Sequence, residues 1–354
     1  YFFVAKKITD MEQSEAMDFL DTLCEKIHTE KHANILIFIT HHTKEKPIID
    51  RICSNLRNIF KDGKEATLNK ENVEFLNEMA GEIPRIVIDQ SKDVERERIE
   101  ALRSQDKIDR RNPINDEDEV LYEKDSYQNE DDEDDYNEDI QSLNKDLIDV
   151  NRSYKAVEIL GQIIRNRKGS LPIPQLEYLG SEAYSVGFRF LDFYYSITRQ
   201  MKDEIISEVH RLISDKRNWS TEKITKEARL FYWTYSYMMS LNVIRKIAFS
   251  VGHKDLMPYY ATLSDKFGSE ISKLVEISIQ LEFTKTIPKN NILAIWPSIK
   301  DNMMTRRLLQ EIVITHLHMH YTKHEDKAWI AEKLSIPVKD QVTLQQRNAI
   351  KDIN

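Results

Sequence analysis

The chain has 354 residues, 40% of them hydrophobic, and a formal net charge of −9. The segment Asp116–Asp139 holds 14 acidic residues and one basic residue, so the rest of the chain carries +4. That near-balance of charge argues against a nucleic-acid partner. The small number of cysteines, two, favours a reducing, cytoplasmic compartment. No apolar stretch is long enough to predict a membrane partner.

Two apolar runs near the N-terminus predict buried strands. The runs are Tyr1–Ala5 and Ile35–Ile39, which are β-prone and polar on neither face. Because the chain starts inside the first run, we expect it to be the back half of a larger protein. Between the two runs, Thr9–Glu12 has the spacing of a helix capping box, and apolar residues at helical spacing follow. Strand, capped helix and strand make a βαβ unit, whose ligands bind beyond the carboxyl ends of the strands.

Four polar residues, Thr40-His41-His42-Thr43, come directly after the second predicted strand. Hydroxyls and imidazoles at a strand end can hydrogen-bond a phosphate or orient a water. The alternative is that these residues only begin a solvated loop, since polar residues commonly follow a buried strand.

The residues after this tetrad carry a family resemblance. A helix is predicted over 48–60 and a shorter one over 67–76, and Gly81–Arg85 (Gly-Glu-Ile-Pro-Arg) then precedes an apolar segment. This order resembles the sensor strand and helical lid of AAA and STAND-type P-loop NTPases. The resemblance implies that residues 1–112 are a partial α/β NTPase core with a helical lid.

Carried over by position, the resemblance assigns nucleotide binding to five residues. They are Thr40, His41 and Thr43 at the strand end, and Pro84 and Arg85 in the lid. No glycine precedes Gly63, and no G-x-x-x-x-G-K-[ST] loop is present in the chain. ATP or ADP with Mg²⁺ is therefore expected to bind only in a full-length parent, and this chain alone should not hydrolyse ATP.

Residues 113–150 are predicted to be an acidic disordered linker, because no buried element tolerates such a density of one charge sign. From Ser153 the apolar pattern becomes helical without a repeat period, which predicts an irregular all-α helical array over 151–340 and a tail over 341–354. The predicted fold class is thus mainly α, with a small α/β remnant at the N-terminus.

Helix predictions in the second body are specific. One helix ends at Lys168-Gly169, and others cover 176–197, 205–213, 231–251, 254–267, 269–284, 289–299, 302–321 and 325–334. Gly161, Gly180 and Gly187 fall inside helical patterns, where each costs about 1 kcal/mol relative to alanine. They therefore predict close helix–helix contacts.

Four blocks of this body carry a second resemblance. They are YKAVEILGQIIRNRKGSL (154–171), EAYSVGFRFLDFYY (182–195), VIRKIAFSVG (243–252) and KLVEISIQLEF (273–283). They resemble the C-terminal helical domains of large bacterial STAND-like NTPases associated with antiviral defence. The resemblance implies a nucleotide switch, a separate N-terminal effector, and C-terminal helices that recognise a protein trigger or control self-association.

Two polar clusters contain residue types that occur in functional sites. His316, His320 and His324 are spaced to share one helical face, which is compatible with a transition metal. Packing and helix capping are the favoured explanation, and no metal is predicted. The segment His253–Asp255 is predicted to be a helix-end turn.

Aromatic residues cluster in two helices and are predicted to be mostly core, with the remainder available to a partner. The cluster comprises Phe188, Phe190, Phe193, Tyr194, Tyr195, Phe231, Tyr232, Trp233, Tyr235 and Tyr237. Two functions follow: the C-terminal segment of a STAND-like signalling NTPase, or a non-enzymatic helical protein–protein interaction module with a degenerate α/β domain.

Overall fold

The structure, a computed structural model, describes residues 2–9, 11–42, 46–79, 88–89, 103, 134–284, 286–336 and 338–339, and it is mainly helical. The helices are α1 (Phe2–Thr9), α2 (Gln13–Glu25), α3 (Glu30–His42), α4 (Lys46–Arg57), α5 (Glu74–Asn77), α6 (Asp134–Arg167), α7 (Ile173–Gln200), α8 (Lys202–Lys216), α9 (Thr221–Val251), α10 (Met257–Phe267), α11 (Glu270–Thr284), α12 (Lys289–Ile299), α13 (Met303–Met319) and α14 (His324–Lys333).

The two predicted N-terminal strands are wrong. Residues Phe2–Thr9 form α1, and Ile35–Ile39 lies inside α3. A short run that is apolar on all sides is compatible with a strand or with a helix packed between other helices, and Ile35, Leu36 and Ile39 are buried in that way. The described residues therefore contain no βαβ unit.

The strand content is limited to one short parallel pair. In the described residues, β1 (Ile88–Asp89) pairs with β2 (Val338–Lys339) over two residues. The predicted capping box is also wrong, because Thr9 ends α1 while Glu12 precedes α2 without a side-chain capping bond.

Helix α6 begins inside the segment predicted to be a linker. Its first residue is Asp134, so the predicted linker 113–150 becomes helical there, and residues 113–133 lie outside the described part. The linker was predicted from composition alone, and composition did not predict where this helix begins.

The predicted helices of the second body are confirmed. Those at 254–267, 269–284, 289–299, 302–321 and 325–334 agree with α10 to α14 to within two residues, once the 3₁₀ turn Lys254–Leu256 is counted with α10. The irregular helical array is thus present. Its periodic apolar stripes are long enough for the helical period to be unambiguous.

The described residues group into two compact units. The first takes its residues from Tyr1–Ala66, Asn112–Ile197 and Asn242–Lys266, and the second from Thr67–Arg111, Thr198–Leu241 and Phe267–Asn354. The units change at 66–67 and 111–112 and inside α7, α9 and α10. The predicted boundaries at 112 and 150 follow changes in composition, whereas the units follow packing.

Three glycines bring helices of the first unit close together, as predicted. A Cβ added at Gly161 would clash with the backbone of Ser250 on α9, and one at Gly187 would lie 2.7 Å from Ile247 Cδ1. A Cβ at Gly180 would clash with Tyr259 on α10. These glycines therefore allow α6 and α7 to approach α9 and α10 more closely than any larger residue would permit.

Candidate functional site

The predicted nucleotide-sensing residues lie on a helix instead of a strand end. Thr40 is buried in the last turn of α3, and its Oγ1 donates to the carbonyl oxygen of Ile37 at 2.8 Å. His41 is exposed, with Nε2 2.8 Å from Nδ2 of Asn166 on α6. The predicted strand-end position of these residues is wrong because Ile35–Ile39 is part of helix α3 and not a strand.

The other predicted nucleotide-binding residues cannot be placed beside these two. Thr43, Pro84 and Arg85 lie outside the described residues. The hydroxyl of Thr40 already has an acceptor in its own helix, so it is engaged locally.

The three histidines near the C-terminus do not share one helical face. Helix α13 ends at Met319 and His320 is its C-cap, while His324 begins α14. His316 is buried, and burial lowers its pKa to about 4, with His320 adding to the shift. No group of three or more His, Cys, Asp or Glu side chains arranged for a metal is found in the described residues.

The segment His253–Asp255 forms a turn, as predicted. His253 Nδ1 accepts a hydrogen bond from the backbone N–H of Asp255 and thereby caps the 3₁₀ turn. The ammonium of Lys168, just after α6, donates to Asp255 Oδ2 at 2.6 Å and lies 2.7 Å from His253 Nε2. These contacts tie the turn to the end of α6.

An exposed aromatic stripe is the clearest surface feature of the second unit. Phe231, Tyr235 and Met238, here called the α9 stripe, are 52%, 56% and 43% exposed. The rings of Phe231 and Tyr235 are stacked, with centroids 6.3 Å apart. Their spacing of four and three residues places all three side chains on one face of α9.

The neighbouring aromatic residues of the cluster are largely core, as predicted. Six of its ten members are buried: Phe188, Phe190, Tyr195, Tyr232, Trp233 and Tyr237. Only Phe231 and Tyr235 are exposed, and the remaining two are half-buried. The sequence predicts that a minority of the cluster is exposed and available to a partner, and the exposed members are Phe231 and Tyr235.

A groove lies between α4 and the start of α7 in the first unit. This α4–α7 groove encloses about 480 Å³ and is lined by Lys46, Asp50, Pro172, Pro174, Gln175 and Tyr178. Pockets of roughly 300–1,000 Å³ accommodate small ligands. Sequence analysis missed this groove, because its two sides lie more than a hundred residues apart and neither side carries a recognisable motif.

Arg57 contacts Tyr178, one of the residues that line the groove. Arg57 at the end of α4 donates to both carboxylate oxygens of Glu182, at 3.1 and 2.5 Å, and its guanidinium lies 5.4 Å from the centre of the Tyr178 ring. The hydrogen bond to Glu182 raises the pKa of Arg57 further, and burial raises the pKa of the Tyr178 hydroxyl. Tyr178 is therefore fixed before any ligand arrives.

A second arginine attaches the end of α4 to α7. Arg189 is buried and donates to the carbonyl oxygens of Ile59 and Arg57, at 3.2 and 3.1 Å. Carbonyl groups at the end of a helix have no partner within that helix. Arg189 therefore caps the end of α4, and the two helices that border the groove are held together.

The fold and these surfaces define a mainly helical protein with an exposed aromatic stripe and a preformed groove. No protein-family model, curated protein or solved structure matches the chain. None of the helices in the described segments is long and apolar enough to cross a membrane.

Proposed function

We propose that the described helices form a non-enzymatic protein–protein interaction module that uses the α9 stripe. The observation that carries this proposal is the exposure of Phe231, Tyr235 and Met238 on one helical face. Aromatic residues and methionine are enriched at protein interfaces, where a few such side chains contribute most of the binding energy.

The occupant we propose for the stripe is a second copy of the chain. The stripe is symmetric about the bond between Thr234 and Tyr235, because Phe231 and Met238 lie equally far from it. An antiparallel pair of α9 helices would place Phe231 of each copy on Met238 of the other, a favourable sulfur–aromatic contact. A parallel pair would instead bring the two Glu227 carboxylates together, which is repulsive.

The area of the stripe predicts weak association. An aromatic side chain offers roughly 150–250 Å², and these three residues are about half exposed, so the stripe contributes on the order of 300 Å² per copy. A stable dimer buries about 800 Å² per partner. We therefore expect the fraction of dimer to rise with protein concentration, and to be larger when two copies are held close to each other.

Sedimentation velocity between about 1 and 200 µM tests this proposal. The wild-type sedimentation coefficient is expected to rise with concentration, and that of the double variant Phe231→Ser/Tyr235→Ser to stay constant. Leu293→Ser on α12 is a matched control, since Leu293 is 45% exposed but lies elsewhere. A constant wild-type value, or a double variant that associates like the wild type, would overturn the proposal.

A wider proposal places this module in a bacterial STAND-like signalling NTPase, as its sensor or assembly domain in antiviral defence. The observation that favours it is that the four blocks that carry the resemblance fall on α6, α7, α9 and α11. In this proposal ATP or ADP with Mg²⁺ binds to the full-length parent, with Arg85 in its lid. Calorimetry on the parent tests it: nucleotide binding should weaken in Arg85→Ala, and absence of binding would contradict it.

We also place the module in the cytoplasm. Cys24 and Cys53 are both free and buried, and burial raises the pKa of both thiols. Unreactive free thiols fit a reducing compartment. Fractionation of cells that produce the parent protein would test this assignment.

A further inference from the structure

The α4–α7 groove presents three polar side chains whose binding capacity is not met within the described protein. Lys46 and Asp50, one helical turn apart on α4, have no hydrogen-bond or ion-pair partner among the described residues. Gln175 on α7 has a buried Nε2 that finds no acceptor there. A buried polar group without a partner costs free energy, so such a group calls for an explanation.

The order of the two charges on α4 explains why they remain available to a ligand. An ion pair on a helix is more favourable when the acid precedes the base by four residues. Here the base, Lys46, precedes the acid, Asp50. A pair in this order is weaker than one in the reverse order, and the structure shows no ion pair between the Lys46 ammonium and the Asp50 carboxylate, which both line the groove.

The opposite wall of the groove is apolar and rigid. It consists of the rings of Pro172 and Pro174 and of Tyr178. Proline fixes its own backbone torsion, and Tyr178 is braced by Arg57, which is itself bound to Glu182. A ligand that binds here loses little free energy to ordering the protein, because the wall is already in place.

We propose that the α4–α7 groove binds a small zwitterion of the amino-acid class that carries an apolar side chain. The ligand carboxylate accepts from the Lys46 ammonium and, once the Gln175 amide has turned from its enclosed position toward the groove, from Gln175 Nε2. Its ammonium donates to the Asp50 carboxylate, and its side chain packs on Pro172, Pro174 and Tyr178. This inference is independent of the α9 stripe, which belongs to the other unit.

Titration of the full chain with L-leucine, followed by saturation-transfer NMR, tests the site. Two analogues each remove one charge: N-acetyl-L-leucine lacks the ammonium, and L-leucinol lacks the carboxylate. We expect saturable leucine binding below roughly 10 mM, with each analogue at least about tenfold weaker. Absence of saturable leucine binding in this range, or equal binding of all three compounds, would overturn the proposal.

Charge-removing variants assign each contact. Asp50→Asn should weaken leucine about tenfold and leave N-acetyl-L-leucine unchanged, because that analogue has no ammonium to lose. Lys46→Gln should weaken leucine and leave L-leucinol unchanged. The exposed pair Lys61→Gln and Asp62→Asn, in the turn after α4, provides matched controls that should bind leucine like the wild type.

A dipeptide distinguishes the two natural sources of this chemistry. L-leucyl-L-leucine retains both charges at a greater separation. If it binds more tightly than leucine and is sensitive to both variants, the ligand is a short peptide; if it binds more weakly, the ligand is a free amino acid. Leucine binding that neither Lys46→Gln nor Asp50→Asn weakens would contradict the proposed site.

Discussion

Asn302 donates its Nδ2 hydrogen to the carbonyl oxygen of Leu68 at 2.9 Å, across a separation of 234 residues. Thr305 Oγ1 donates to the same oxygen at 2.6 Å, and both donor residues are buried. Leu68 has a φ of 59°, a left-handed conformation that costs an L-residue about 1–2 kcal/mol. The two hydrogen bonds offset that cost and fix the turn against the start of α13.

Replacing Asn302 by alanine should destabilise the second unit. The change removes the bond to Leu68 and the capping bond from Asn302 Oδ1 to the N–H of Thr305, and it leaves the amide of Asn77 without that acceptor. We expect a loss of about 3 kcal/mol in the free energy of unfolding. Urea denaturation measures it, with the exposed Asn218→Ala as the control; equal stability of the two variants would contradict this role.

Replacing Gly161 by alanine should destabilise the first unit although alanine favours helices. The new methyl group would meet the backbone of Ser250, which cannot rotate away, and we expect a loss of about 2 kcal/mol or more. Gly169→Ala is a matched control, because nothing lies within 4 Å of a Cβ there. Thermal unfolding of both variants checks this, and a Gly161→Ala protein as stable as the control would refute close helix contact.

Replacing Arg189 by methionine should loosen the end of α4. The carbonyl oxygens of Ile59 and Arg57 would lose their donor, at an expected cost of about 3 kcal/mol. Hydrogen exchange should accelerate in α4 more than in α10. Arg211→Met, which removes only exposed ion pairs on α8, should change neither rate measurably.

His316 should make the second unit sensitive to acid. Burial lowers its pKa to about 4, against about 6.5 in an unfolded chain. Between these values the unfolded state binds more protons, so stability is full above about pH 6.5 and falls as the pH drops toward 4. At pH 5 the loss attributable to this group is about 2 kcal/mol.

The measurement for His316 is the free energy of unfolding from pH 7.5 to 5, in the wild type and in His316→Gln. In His316→Gln the slope of the unfolding free energy against pH should correspond to about one proton fewer taken up on unfolding than in the wild type. His324→Gln, at an exposed position, should keep the wild-type slope. Identical slopes in the wild type and His316→Gln would show that His316 is not held neutral by burial.

The sequence was sufficient to predict long amphipathic helices and misleading for short apolar runs. Helix α12 was predicted with its observed bounds, 289–299, since its apolar residues repeat at the helical period and Pro288 stands directly before it. Ile35–Ile39 has no polar face, so its period could not be determined, and only the packing of α3 against its neighbours establishes that it is helical.

One of the two candidate sites could be predicted from the sequence and the other could not. Exposure of part of the aromatic cluster was predictable from the spacing within α9 alone. The α4–α7 groove was not, because it joins Lys46 and Asp50 to a segment around Tyr178 far along the chain. No local pattern encodes such a juxtaposition.

Cysteine cross-linking at Thr234 tests the central claim, antiparallel self-association through the α9 stripe, most directly. In the proposed pair the two Thr234 residues face each other near the symmetry axis, whereas the two Glu227 residues lie roughly 22 Å apart at 1.5 Å per residue. Thr234→Cys should therefore form a disulfide-linked dimer under mild oxidation, and Glu227→Cys should not. A dimer from Glu227→Cys but not from Thr234→Cys, or from neither, would contradict the account.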